Sequence, residues 1–220
     1  MSATTFPPSF HSLRSSRDRI GLAVAIALGA WLMLIIALGS IGAFVRPPGK
    51  PPLGIAIGVA TPLAIFFVGL RLSQSFRAFV LALDLRLLAG MQAWRFAGLE
   101  FLALYTHKIL PAVFALPAGL GDMAIGVTAP WIVLALLREP NFAASRRFVT
   151  WNVLGILDLA IALTIGSLSA SLATGAPGEI STAPLATLPL LLIPGYLVPL
   201  FLMLHATALM QSRQMVRIHG

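Results

Sequence analysis

The chain has 220 residues, of which 58% are hydrophobic and only 10% charged, with a mean hydropathy of +0.93. A soluble domain carries about 25% charged residues, so this composition excludes an ordinary water-clad globule and suits helices that face lipid. Fifteen Lys and Arg against seven Asp and Glu give a net charge of +8, and the lack of cysteine excludes disulfides, thiolate catalysis and cysteine-ligated metals.

Apolar stretches predict an all-α, polytopic transmembrane bundle of six spans within a single domain at 20–211. Residues 1–19 are Ser- and Arg-rich and read as a disordered cytoplasmic N-terminus, and 212–220 as a short cytoplasmic tail. The first span, near 20–45, is longer than the ~7–15 apolar residues of a cleaved signal, so it reads as an uncleaved anchor. RPPGKPP at 46–52 predicts a stiff, extended outer turn, because proline fixes φ. Span two, 53–71, carries Gly54 and Gly58, a GxxxG that permits close helix approach, within the chain or in a homo-oligomer. Residues 73–90 place Arg77 and Asp84 on one helical face and read as an amphipathic helix on the cytoplasmic surface, or as a tilted extension of span three.

The remaining spans hold the polar residues. In α geometry Gln92, Glu100, Ala103 and His107 share a face of span three, 91–110. Asp122 lies on a stripe with Ala115, Gly119, Gly126 and Ala129 in span four, 113–137. Pro111 and Pro117 precede it and suggest a half-helix end directed at its carboxylate. Asp158 lies with Gly155, Ala162 and Gly166 in span five, 148–171. Small stripes are where membrane helices pack, so the acids are expected to point inward. Span six, 186–210, carries His205 and a proline every five residues from Pro184 to Pro199, which predicts a kinked or unwound helix.

Twelve of the fifteen basic residues fall on one side of this topology, leaving Arg46, Lys50 and Lys108 on the other. The positive-inside rule then places both termini in the cytoplasm. Scattered among short loops, the charge gives no nucleic-acid face.

A carboxylate at the bilayer centre costs roughly 2.5–3.5 kcal/mol and marks a wet interior or an ion pathway. Helical rise puts His205 about 7 Å inside the cytoplasmic boundary, Asp158 and Glu100 about 13–15 Å, and Asp122 and His107 about 22–25 Å. These five could form a ladder of proton carriers in a small transporter or permease, passing protons, a small cation or a solute. Alternatively the acids are packing clamps, with Arg95 or Asn152 as partners in a non-transporting membrane subunit. Glu100 and His107 lie ~10 Å apart along the axis, and the two histidines ~17 Å apart in depth, so no metal site, haem or other cofactor is implied.

Gly119-Leu120-Gly121-Asp122 resembles the GxGD signature of intramembrane aspartyl proteases such as presenilin, signal peptide peptidase and prepilin peptidase. The resemblance implies a catalytic Asp122 with a second aspartate from an earlier helix. Here the only other membrane-embedded aspartate, Asp158, follows it, and the PAL tripeptide of presenilins is missing. QAWRFAGLEFLALY (92–105), LPAVFALPAGLGDMAIG (110–126) and WNVLGILDLAIA (151–162) resemble an uncharacterised family of bacterial membrane proteins. That resemblance implies a bacterial inner membrane and carries no chemistry.

Overall fold

The computed structural model describes residues 10–219, with side chains from 17 to 216. All regular structure among these residues is helical. The elements are α1 (Phe10–Ser40), α2 (Leu53–Leu72), α3 (Gln74–Leu81), α4 (Leu85–Met91), a 3-10 segment (Gln92–Gly98), α5 (Leu99–Thr106), α6 (Ala112–Arg138), α7 (Arg146–Leu172) and α8 (Val198–His219). Short 3-10 turns cover Phe142–Ala144 and Ala183–Ala186, and a π turn covers Ile193–Leu197.

Five helices are long and apolar enough to cross a membrane: Arg17–Ser40, Leu53–Leu72, Ala112–Arg138, Arg146–Leu172 and Ile193–Val216. The six spans expected from hydropathy are therefore corrected to five helices of that length. The expected third span is instead a relay of α4, the 3-10 segment and α5. It still runs from one end of the bundle to the other. Leu85 and Leu88 pack at the basic end with Phe142, Phe148 and Ala208, whereas Phe101 packs at the opposite, loop end with Leu110, Phe114 and Leu185.

The expected disordered stretch 10–19 is helical, since α1 begins at Phe10; residues 1–9 lie outside the described residues. The long apolar helix that follows supplies the costly nucleus, and Leu13, Arg14 and Arg17 are good formers on which to extend it. Residues 73–90 form two short helices rather than one. Ser73 caps α3 by accepting from Phe76 N, and Asp84 caps α4 by accepting from Arg86 N, so a side chain competing for backbone amides breaks the run. Arg17 donates to Ala82 O at 3.0 Å and Gln211 to Leu83 O at 3.0 Å, which ties this corner to α1 and α8.

α6 runs unbroken through Pro117 and Asp122, so no half-helix end is directed at that carboxylate. The break expected in the last span is real and lies at Ile193–Leu197. Pro199 has no N–H to give the Gly195 carbonyl four residues earlier, and the Trp31 indole of α1 donates to that oxygen at 3.1 Å. The glycines of the GxxxG in α2 both flank Phe44, whose ring atoms lie 3.3 Å and 3.5 Å from where their Cβ atoms would be. That stripe is thus filled by the chain's own side chain.

The surface is apolar and the centre polar. Leu22, Ile26, Ile57, Phe67, Trp131, Leu154 and Leu168 are exposed around the perimeter, while Arg95, His205, Gln92 and Asn152 rank among the largest fully buried side chains. A soluble domain shows the reverse arrangement.

Candidate functional site: a buried arginine between two aspartates

The 3-10 segment sets the site. Its helical repeat is three residues, so Gln92, Arg95 and Gly98 stack on one inward stripe, and all three are buried. Runs beyond three or four residues are uncommon in this geometry, and this one spans seven. Close packing on α6 holds it. A Cβ on Gly126 would overlap Phe96 N and lie 2.8 Å from the Arg95 carbonyl carbon; one on Gly119 would lie 2.9 Å from Gly98 O. The glycines of α6 therefore let the two backbones touch, and the Arg95 side chain enters the bundle from that contact.

Arg95 is 2% exposed, and all three nitrogens of its guanidinium have partners. Nε donates to Asp122 Oδ1 at 2.7 Å and Nη1 to Gly155 O at 3.2 Å, while Nη2 donates to Asp158 Oδ2. Nη1 also lies 3.2 Å from His205 Nε2. The histidine tautomer follows from its neighbours. Asn152 Nδ2 donates to Phe148 O at 2.9 Å, which leaves Asn152 Oδ1 as the acceptor facing His205 Nδ1, also at 2.9 Å. Nδ1 must carry the proton and Nε2 must accept from the guanidinium, so the ring is neutral. Trp151 stacks edge-on to the imidazole at 5.5 Å and donates to Thr128 Oγ1 at 2.9 Å. One planar fork thus joins the 3-10 segment, α6, α7 and α8, a role for which a point-charge lysine is unsuited.

Further glycines make room for these groups. A Cβ on Gly121 would overlap Asp158 Oδ1, and one on Gly155 would overlap His205 Nε2. The two glycines of Gly119-Leu120-Gly121-Asp122 are accounted for in this way: Gly119 admits the backbone of Gly98, and Gly121 admits the Asp158 carboxylate.

Of the residues singled out from sequence, Arg95, Asp122, Asn152, Asp158 and His205 come together, while Glu100 and His107 do not. Both of these are exposed on the lateral face or its end. The cause is the change of helical repeat. Six steps at 120° followed by two at 100° place Glu100 about 200° from Gln92, on the opposite side of the segment. Trp94, 78% exposed, faces outward for the same reason. The expected five-rung ladder is thereby reduced to a compact cluster.

The depth separation expected for His205, Asp158 and Asp122 also disappears. α8 continues to His219, so His205 lies fourteen residues, about 21 Å, from the helix end instead of near a boundary. α6 and α7 each run 27 residues, roughly 40 Å, and their overhang brings Asp122 and Asp158 level. Arg95 leaves the tally of basic loop residues, being at the centre of the bundle.

A cavity of about 200 Å³ reaches this cluster from the loop end. Arg46, Lys50 and Glu179 line its exposed mouth, Phe101, Phe114 and Leu163 its walls, and Asp122 and Val198 its floor. Thr182, buried at the upper wall, donates to Gly166 O at 3.0 Å and ties the loop to α7. At the mouth the Glu179 carboxylate accepts from the backbone N–H groups of Thr174, Gly175 and Ala176 and from the Thr174 hydroxyl. These bonds, the Thr174 amide foremost, hold its pKa below the usual range. Among the described residues no group of three or more His, Cys, Asp or Glu could hold a metal ion.

Residues 52–213, about three quarters of the chain, match the family described as Domain of unknown function (DUF8737), and the chain belongs to that family. No curated protein and no solved structure matches it.

Proposed function

We propose that this is an integral membrane protein of the permease type, in which Asp122, at the floor of the cavity, and Asp158, bound to the same guanidinium, exchange a proton or small cation. The reading includes the broken segment 85–106 as a sixth crossing. The basic end, carrying Arg71, Arg77, Arg138, Arg146, Arg147 and Arg213, then lies in the cytoplasm and the cavity mouth opposite it. A bacterial inner membrane fits this charge bias.

One observation carries the functional part. A single guanidinium faces two carboxyl groups with a neutral histidine beside them, so ionising both carboxyls leaves one negative charge uncompensated within an apolar body. Such a charge is expensive away from water, so the site favours a bound proton or cation, and the cavity supplies a route to it. In reconstituted vesicles Asp122→Asn and Asp158→Asn should each abolish pH-dependent flux, and Glu100→Gln should leave it intact. Flux that survives both aspartate changes, or that depends on Glu100, refutes the assignment.

A non-transporting membrane subunit is the second reading, favoured by the way Arg95 ties both acids into a clamp across four elements. It expects no flux in any variant. The aspartyl-protease reading gains less support. A protease dyad shares a proton between facing carboxyls, whereas here a cation lies between them.

A further inference from the structure

We infer that the cavity takes a small organic cation, a protonated amine on a narrow apolar body, with its ammonium against Asp122. The inference rests on the excess negative charge described above and adds the chemical class of the ligand.

Asp122 offers a free acceptor toward the cavity. Its Oδ1 accepts from Arg95 Nε, and among the described residues nothing donates to its Oδ2, while the side chain lines the cavity floor and retains 14% exposure. An ammonium has the charge the cluster lacks and donors for that oxygen. The surroundings reject an inorganic ion. A hard cation such as calcium takes six to eight oxygen ligands, whereas Asp122 shares the lining with apolar side chains that include Phe101, Phe114, Leu159 and Val198. Those side chains suit an alkyl body instead. The rings of Phe101 and Phe114, packed edge to face at 5.3 Å, add aromatic surface that attracts a cation.

Shape narrows the class further. Asp158 is level with Asp122, and fifteen residues of α7 and its C-cap separate it from Ala173 at the mouth, a depth of about 22 Å. A cavity this deep, with a volume of about 200 Å³, suits a linear amine whose chain lies along the apolar wall. The mouth cations Arg46 and Lys50 are exposed to water at more than twice the ~8–10 Å screening length from the floor, so they do not cancel its charge.

The test uses the full chain purified in detergent, with n-hexylammonium chloride titrated by calorimetry and hexan-1-ol and sodium chloride as controls. Saturable binding of hexylammonium at least tenfold tighter than hexanol, with no binding of sodium, is the expected result. Asp122→Asn should weaken it at least tenfold. Ala162→Leu, which fills the cavity wall and leaves the Arg95 contacts in place, should weaken amine and alcohol alike. Equal affinity for amine and alcohol, or binding unchanged in Asp122→Asn, overturns the inference. Vesicles that show Asp122-dependent proton flux without amine binding overturn it and leave the permease reading standing. Amine binding at Asp122 with no flux of any kind overturns only the permease reading.

Discussion

Removing Arg95 is the sharpest perturbation of this architecture. Arg95→Gln takes away the one cation that, among the described residues, pairs with Asp122 and Asp158, and it removes the guanidinium donor from Gly155 O and His205 Nε2. Breaking a buried ion pair by deleting one partner costs roughly 3–5 kcal/mol, because the remaining charge stays desolvated. The two carboxylates retain 14% and 17% exposure, Asp122 at the cavity floor, so relief by water places the expected loss near the lower end, about 3 kcal/mol. The assay is reversible unfolding in mixed micelles, followed by tryptophan fluorescence, since Trp151 stacks on His205 within the cluster. A control separates charge from packing. Adding Asp122→Asn and Asp158→Asn to Arg95→Gln removes the stranded charges and should recover more than half of the loss. Arg95→Lys should rescue little, because one ammonium cannot span both carboxylates and the carbonyl. A loss below ~1 kcal/mol, as for exposed ion pairs, or no recovery in the triple variant, refutes the view that Arg95 acts as a buried counter-ion.

Two further expectations concern packing and pH. Gly126→Ala should prevent stable folding, since its Cβ meets the backbone of Phe96 and Arg95, which cannot step aside. Gly29→Ala, with nothing within 4 Å, should be neutral or slightly stabilising in the same unfolding assay; equal effects at both sites would refute the close-approach argument. The loop at the cavity mouth should loosen in acid. The folded pKa of Glu179 is lowered by its Thr174, Gly175 and Ala176 partners, so its contribution is present above the ordinary glutamate value and lost as pH falls through the lowered one. Protection of those three amides from hydrogen exchange should drop in that window and be absent at neutral pH in Glu179→Ala; protection that persists in the variant would exclude the carboxylate as the clasp.

Arg95 shows why the site was only partly legible. A single α repeat running through the third span gives Arg95 no special place and leaves it only an alternative partner for the acids. A signal was present: Gln92, Arg95 and Gly98, the two polar residues and the glycine of QAWRFAG, recur every three positions, the 3-10 repeat. That spacing alone competes poorly with the α pattern continuing through Leu99–Thr106. The same assumption turned Glu100 and His107 inward on paper, whereas in the structure they face out. Asp122 and Asp158 meet Arg95 within the bundle, and the small residues flanking them mark helix contacts whatever the exact register.

Composition and hydropathy by themselves determined an all-helical chain with long apolar elements and a break in the proline-rich last span, since these are set by local length, polarity and backbone chemistry. The charge imbalance around one guanidinium was decided only by tertiary structure. It needs four elements distant in sequence to meet at one depth, and that depth depends on helix overhang and on a repeat changing from α to 3-10. Those quantities are fixed by how glycines let backbones approach, which is a property of pairs of elements and not of any one segment.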